Sequence, residues 1–531
     1  MPRSAAMREI ELKLQVSAAA RAGVGRAVAE PGASRTRLQA IYFDTADGRL
    51  AAAGLALRLR KEGRRWVQTL KVGSAHGLER GEHNVPLTVV AGRTPAVDPA
   101  RHHGTPPGEA LAAALAPRKG EHEGAPPLQA RYRTDIQRCH RRQRTRRGTV
   151  ELAFDRGEIV AAGRGGGERR WPVCELEIEL VSGSPRAVIE RARRFAAEHG
   201  LWLDTRSKSE RGERLAQNLG PHDATPAVKT EPVQLHKGMS PDQAWTAVRR
   251  NALAHALPNW SEVAAGTTAS EPLHQLRVAL RRLRSAQRFF EGWPGVPAVA
   301  WGDGVAALFR ALGAVRDRDV LGGGLQREVD AALAGLGEPA VALSPPEDTP
   351  PWGERERVQH GLVLIDLCGE LADDATPAAQ AGVASASAQA EAEEPGGARD
   401  EAVPLLALVA QRLQHWHAHA RRDAKRFDQL SDEQRHRLRK RLKRLRYAIE
   451  FSASLFPRRA VKRYLARLRG AQERLGEYND VCVAEAAYRS LAVSEPRAWF
   501  ALGWLTARRA AVLAAAANEL KSLRKSKAFW A

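Results

Sequence analysis

The sequence predicts an α+β chain of more than one domain, with an antiparallel β region followed by an all-α region. Three observations lead to this. The chain has 531 residues, more than one compact core of ordinary size accommodates. Up to about residue 217, apolar and charged residues alternate in short runs separated by turn signals such as DTADG, the period of strands. From about residue 236 the runs lengthen into Arg-, Leu- and Ala-rich stretches with the three- and four-residue spacing of amphipathic helices. Residues 218–235, with the aperiodic Pro-rich stretch PHDATPAVKTEPVQ, read as a linker between domains at 1–217 and 236–531.

Composition limits the function classes. Lys and Arg number 83 against 61 Asp and Glu, a net charge of +22, and 43% of residues are hydrophobic. The chain therefore has material for packed cores and an electrostatic preference for an anionic partner. Aromatics at 5% argue against a stacking platform for single-stranded nucleic acid. The four cysteines, Cys139, Cys174, Cys368 and Cys482, form no close pair, which excludes a disulfide scaffold or zinc ribbon and fits a reducing compartment. No uninterrupted apolar run approaches 18 residues, and MPRSAAMREIELKLQV enters charged, strand-like sequence at once. The expectation is a cytoplasmic chain without a membrane span.

The β elements follow from alternation. EIELKLQV, LALRLRK, RRWVQTLKV, TVELAFDRGEIV and VCELEIELV read as strands, and PRAVIERARRFAAEHG as a helix. Residues two apart in a strand share a face. Glu9, Glu11 and Lys13 thus stand together opposite Ile10, Leu12 and Leu14, and Arg58 and Arg60 opposite Leu57 and Leu59. Glu175, Glu177 and Glu179 form a carboxylate row backed by Leu176, Ile178 and Leu180; Arg131 pairs with Arg133, and Glu151 with Asp155. Charges are sorted by strand rather than mixed. This points to a sheet closed around a polar lumen, its apolar alternates packed under helices. Arg forks and lysines bind phosphate oxygens, and clustered carboxylates hold a hard divalent cation that bridges to them. Asp44, in YFDTADG, reads as a turn or cap residue, and GRGGG at 163–167 as a hairpin.

The helical region contains a duplication. HQLRVALRRLR starts at His274 and HRLRKRLKRLR at His436, an offset of 162; LGAVRDRDV at Leu312 and LGEYNDV at Leu475 repeat the relation at 163. On each helix a basic stripe, His274, Arg277, Arg281, Arg284 and then His436, Arg439, Lys443, Arg446, lies opposite leucines. Like charges at these spacings repel, so an anionic ligand is expected. Residues 401–531 alone hold 28 Lys and Arg against 12 Asp and Glu. The halves span about 236–345 and 402–531, and the small, acidic stretch Ala378–Glu401 reads as a flexible connector. His415, His417 and His419 resemble a metal cluster, but alternate residues diverge by about 200° on a helix, so they cannot all meet one ion.

Two resemblances add to this reading. Glu9-x-Glu11-x-Lys13, Tyr42-Phe43-Asp44-Thr45, Arg58-x-Arg60, Lys71, Arg80-x-Glu82, Arg131-x-Arg133, Asp155-Arg156-Gly157-Glu158, Glu177-x-Glu179 and Ser207-Lys208-Ser209 occur in order across residues 7–216. Together they resemble the CYTH superfamily of triphosphate tunnel metalloenzymes. The resemblance implies an eight-stranded antiparallel tunnel hydrolysing triphosphates with Mg²⁺ or Mn²⁺. It implies catalytic roles for Glu9, Glu11, Lys13, Asp155 and Lys208, and substrate binding by Arg58, Arg60, Lys71, Arg131 and Arg133. The implied metal ligands are Glu9, Glu11, Glu82, Glu177 and Glu179. The duplicated HxxRxxxRxxR helices, LGxxRDxDV and LGxxND resemble the CHAD (conserved histidine α-helical) domain. That implies two pseudo-symmetric four-helix bundles binding inorganic polyphosphate through His274, Arg277, Arg281, Arg284, His436, Arg439, Lys443 and Arg446. Arg421, Arg422 and Lys425, which precede the second stripe, are expected to extend the groove, and Asp317, Asp319 and Asp480 to hold its basic residues in place rather than bind a metal.

The expected function is metal-dependent hydrolysis of inorganic triphosphate, since nothing marks a base or ribose site, in a chain that binds polyphosphate and associates with its granules. A non-catalytic polyphosphate-binding protein, hydrolysis of nucleoside or thiamine triphosphate, and adenylate cyclisation stay open as alternatives. Nucleic acid ranks below phosphate polymers as a partner.

Overall fold

The computed structural model describes residues 7–73, 79–88, 93–118, 124–163, 165–223, 225–267, 269–321, 324–341, 343, 352–373 and 403–530. They form two compact units, one drawn from residues 1–228, 256–272 and 352–393, the other from 229–255, 273–351 and 394–531.

The strands all belong to the first unit: β1 (Met7–Gln15), β2 (Ser34–Asp44), β3 (Leu55–Glu62), β4 (Arg65–Val72), β5 (Glu79–Leu87), β6 (Gln129–Thr145), β7 (Gly148–Ala162), β8 (Glu168–Gly183) and β9 (Trp202–Leu203). They pair in the order β5-β4-β3-β2-β6-β7-β8-β1-β9, and β1 also pairs with β5. The β1–β5 ladder runs through Met7–Ile10 and the β1–β8 ladder through Glu11–Gln15. Eight antiparallel strands thus close into a ring, as the sorted charges anticipate. Leu12, Leu14, Leu57, Leu59, Leu176 and Ile178 are all buried, so the apolar alternates pack on the outside of the ring and the charged ones face the lumen.

Five helices lie beside the sheet in sequence: α1 (Arg21–Val28), α2 (Arg49–Ala52), α3 (Pro106–Leu115), α4 (Arg186–His199) and α5 (Lys208–Ala216). On α4, Val188, Ala192, Phe195 and Ala196 form the buried stripe, and Gly200 ends the helix in the left-handed conformation (φ 68°). Asp44 caps α2, its carboxylate accepting from the Thr45, Leu50 and Ala51 amides at 2.7–2.9 Å. Ser207 and Glu210 form a reciprocal capping box at the start of α5, which fixes where Lys208 leaves the helix. Gly163 N–H donates to Gly167 O at 2.7 Å, closing the β7–β8 hairpin.

Nine helices follow among the described residues: α6 (Pro241–Ala264), α7 (Ser270–Phe290), α8 (Gly302–Leu321), α9 (Gly324–Ala334), α10 (Glu354–Asp373), α11 (Leu405–Lys425), α12 (Asp432–Phe451), α13 (Arg458–Leu491) and α14 (Ala498–Arg524). Sequence reading did not pick out α10. It belongs to the first unit, where Arg357 lies over the Trp202 ring at 5.4 Å and Arg193 pairs with Asp366. The connector Ala378–Glu401 lies outside the described residues. By length and composition α14 is apolar enough to cross a membrane, although the sequence reading expects no span. Its run is interrupted by Arg508 and Arg509, and Arg509 is paired with Glu485 at 2.9 Å and with Asp432. Ala501, Leu505, Val512, Ala516 and Leu520 are buried, while 28% of its apolar window as a whole is buried.

Candidate functional site

A cavity of about 650 Å³ occupies the ring. Around eight strands, β3 stands four places from β8 in either direction. Arg58 and Arg60 on β3 therefore look across the lumen at Glu177 and Glu179 on β8. Lys71 on β4 stands in the same way opposite Glu151 and Asp155 on β7, and all seven line the cavity. The cationic wall is braced. Arg58 donates to the Tyr42 hydroxyl at 3.0 Å, Arg60 pairs with Glu62, and Lys71 meets Glu82 at 2.5 Å. Burial and the adjacent Arg58 lower the Arg60 guanidinium from its ordinary value.

The acidic wall has two parts. Asp155, Glu175 and Glu177 place carboxylate oxygens within 4.8 Å of one another. Lys208 reaches all three, at 2.7 Å from Asp155 and 2.8 Å from Glu177. Arg138 binds Asp155 through two 2.7 Å bonds and also meets Glu177, and Arg211 meets Glu175. Burial opposes the Glu177 carboxylate, but Lys208, Arg138 and Lys13 outweigh it and hold the group well below its usual range. Burial likewise opposes the Lys208 ammonium, but Asp155, Glu175 and Glu177 keep it above its ordinary value. The second part is a row on three neighbouring strands: Glu11 opposite Glu179, and Glu179 opposite Glu151. Adjacent strands are about 4.8 Å apart, so Glu179 stands between Glu11 and Glu151, which flank it from the two neighbouring strands. Their hard oxygen donors suit Mg²⁺ or Mn²⁺. In the first part, a metal would have to displace cations already seated there.

Of the tunnel residues expected from sequence, Glu11, Lys13, Asp155, Lys208, Arg58, Arg60, Lys71, Glu82, Glu177 and Glu179 all line the cavity. The side chain of Glu9 lies outside the described residues. Arg131 and Arg133 do not line it. Arg131 binds Glu213 at 3.1 Å and Arg133 binds Glu168 at 2.6 Å. On β6 it is Thr134, Ile136, Arg138 and His140 that face the lumen, so the two arginines expected to bind substrate sit at the opposite parity. Arg138 is the arginine of β6 that lines the lumen, bound there to Asp155 and Glu177. Glu151, paired with Asp155 by alternation but given no role, is the third carboxylate of the row.

In the second unit the two basic stripes stand on α7 and α12. Leu276, Leu280, Leu283, Leu438, Leu442 and Leu445 are buried behind them. His436 Nδ1 donates to Asn479 Oδ1 at 2.7 Å. Arg281 donates to the Tyr447 hydroxyl at 3.0 Å, and Arg277 and Arg284 lie over the Phe309 ring at 5.0 and 5.5 Å. The buried Nε atoms of Arg439 and Arg446 have no hydrogen-bond partner among the described residues. Burial and the charges of Arg281, Arg439 and Arg446 push the Lys443 ammonium down to about 6, with Asp480 opposing. His274 stands on the same face of α7. Arg421, Arg422 and Lys425 are exposed on α11, and the side chains of Asp317 and Asp319 lie outside the described residues. Sequence reading gave no role to Arg282, which is buried and bound to Glu450 at 2.9 Å. His417 is hydrogen-bonded to Tyr464 Oη at 2.6 Å, while the His415 and His419 rings contact each other, so the three histidines do not converge.

Comparison with known proteins bears on both units. Residues 7–212 match the CYTH domain family model and residues 247–489 the CHAD domain family model. An inorganic triphosphatase of Haemophilus influenzae is 30% identical over 177 residues, covering 33% of this chain and 44% of that protein. The chain thus spans less than half the length of that relative. An uncharacterized Mycobacterium tuberculosis protein is 27% identical over 469 residues, covering 84% of this chain and 82% of its own. The solved CHAD domain of the plant Ricinus communis aligns with 57% of this chain and 99% of its own at 27% identity, with a TM-score of 0.42.

Proposed function

We propose that this chain, a CYTH domain followed by a CHAD domain, hydrolyses inorganic triphosphate inside the β ring and binds inorganic polyphosphate on its basic helices. Residues 1–217 carry the first activity and 236–531 the second. The observation that carries the reading is the division of the lumen into a cationic wall and a carboxylate wall. Arg58, Arg60 and Lys71 offer forks and a point charge to phosphoryl oxygens, with Tyr42 holding the Arg58 fork in place. Glu11, Glu179 and Glu151 would hold Mg²⁺ or Mn²⁺, which supplies charge neutralisation and an acidified water when bound. Lys208 stays protonated at any working pH, so it serves as a counter-charge to the phosphates and not as a base. Arg138 fixes Asp155 and Glu177, and thereby the reach of Lys208. On the helical unit, a cationic cluster that lowers one of its own lysines is arranged for an incoming polyanion. A cytoplasmic chain recruited to polyphosphate granules is the setting this implies.

Phosphate release tests the reading. Inorganic triphosphate, ATP, thiamine triphosphate and long polyphosphate are compared with Mg²⁺, with Mn²⁺ and with chelator. Inorganic triphosphate should turn over fastest, only with metal, and Glu11→Gln should lower kcat by about a hundredfold. No release with either metal, or unchanged release by the variant, would overturn it.

A further inference from the structure

The tunnel reading leaves part of β6 unexplained. Arg138 and His140 line the cavity, and alternate residues of a strand share a face. Arg142 and Arg144 therefore continue the same face beyond the lumen. At about 3.3 Å per residue the row from Arg138 to Arg144 is about 20 Å long, running from the interior into solvent, and Arg142 and Arg144 are both exposed. The cations around them differ. Arg141, on the opposite face, meets Glu30 at 2.9 Å and donates to Ala27 O at 2.9 Å; Arg147, in the turn, meets Glu190 at 2.5 Å. On the lumen face, Arg142 has only a 3.7 Å approach to Glu151. Arg144 stands opposite Thr149 and makes no ion pair among the described residues. Two strands along the same wall, Ser182, opposite Thr149, offers a hydroxyl and no negative charge.

We infer that the lumen face of β6 is a binding track for linear polyphosphates longer than three phosphates, holding the far part of the chain while its end reacts in the tunnel. This rests on the triphosphate-hydrolysis reading and adds the substrate's length. In each turnover, water oxygen bonds to the terminal phosphorus and the bond to the bridging oxygen breaks. That oxygen stays on the shortened chain, orthophosphate leaves, and the proton goes to solvent.

The test uses the full chain with its divalent metal, comparing inorganic triphosphate with a polyphosphate of about fifteen units. Arg144→Ala should raise KM for the longer chain about threefold, the worth of one exposed ion contact. Arg144→Glu should raise it about tenfold through repulsion. Both variants should keep triphosphate kcat and KM within about twofold. Equal changes for both substrates, or none for either, overturn the track. Wild-type turnover of triphosphate without turnover of the longer chain overturns the track and leaves the triphosphatase reading standing. Turnover of neither overturns both.

Discussion

Lys208→Met is expected to abolish triphosphate turnover and destabilise the fold by about 3–5 kcal/mol, the scale for breaking a buried ion pair on one side. Lys208 is the ammonium common to Asp155, Glu175 and Glu177. Without it, the three buried carboxylates lose the one cation that reaches all of them and keep Arg138, Arg211 and Lys13, each of which acts on only some of the three. The pH dependence distinguishes this from a simple loss of packing. In the wild type the Glu177 carboxyl is depressed, so its stabilisation is present above the unfolded value near 4.5 and fades as pH falls through the folded one. The raised Lys208 contributes below its unfolded value near 10.5 and fades as pH rises through the folded one. In the variant one carboxyl favours its proton, so acidification from pH 7 to 5 should narrow the deficit. Urea unfolding at the two pH values measures this; a deficit that stays constant would make Lys208 mere packing.

The second large effect concerns Lys443. Its neighbours are Arg281 from α7, Arg439 and Arg446 on its own helix, and Asp480 from α13, and it titrates at about 6. At pH 7 the free protein holds it neutral, and a bound polyphosphate restores the charge. Binding should therefore take up about one proton, and affinity should fall about tenfold per pH unit from 7 to 8, levelling below about 6. Lys443→Arg keeps a charge at this position and should lose about one proton of that dependence. Lys443→Met should bind polyphosphate more weakly yet melt higher at pH 7. A lysine depressed in the folded state opposes folding between its folded and unfolded values. Calorimetry in two buffers of different ionisation enthalpy reads the proton directly. Equal uptake by wild type and Lys443→Arg would contradict the assignment.

Much of this was legible because the charged residues follow the period of their elements. EIELK, LALRLR and CELEIEL alternate cleanly, so the lumen-facing sets on β1, β3 and β8 could be read with a ruler of two residues. In RYRTDIQRCHRRQRT, arginine occupies both parities, and alternation alone cannot choose between them. The choice is made by the β2 partner, which sets Ala40 opposite Thr134 and Thr36 opposite Arg138. Hence Arg138 was missed and Arg131 and Arg133 were placed on the wrong face. The acid row joining Glu11 to Glu151 needs two ladders, which no single strand reveals. The stripes on α7 and α12 were visible at helical spacing, but the depressed ammonium of Lys443 depends on Arg281, 162 residues away in sequence. Helix α10 escaped because it lies between the two halves marked by the duplicated motifs, at 236–345 and 402–531, where no repeated motif drew attention to its Leu364, Cys368 and Leu371 spacing.

The double pairing of β1 also governs how the ring is made. Glu9 pairs with Arg80, but Glu11 must wait for Glu179. A chain growing from its first residue therefore holds a half-paired strand until β8 emerges, with one edge open to any other strand nearby. Such non-local closure is slow relative to helix formation. Refolding should show the helical signal recovering first and the lumen closing last, and the yield should fall with protein concentration as open edges find the wrong partner.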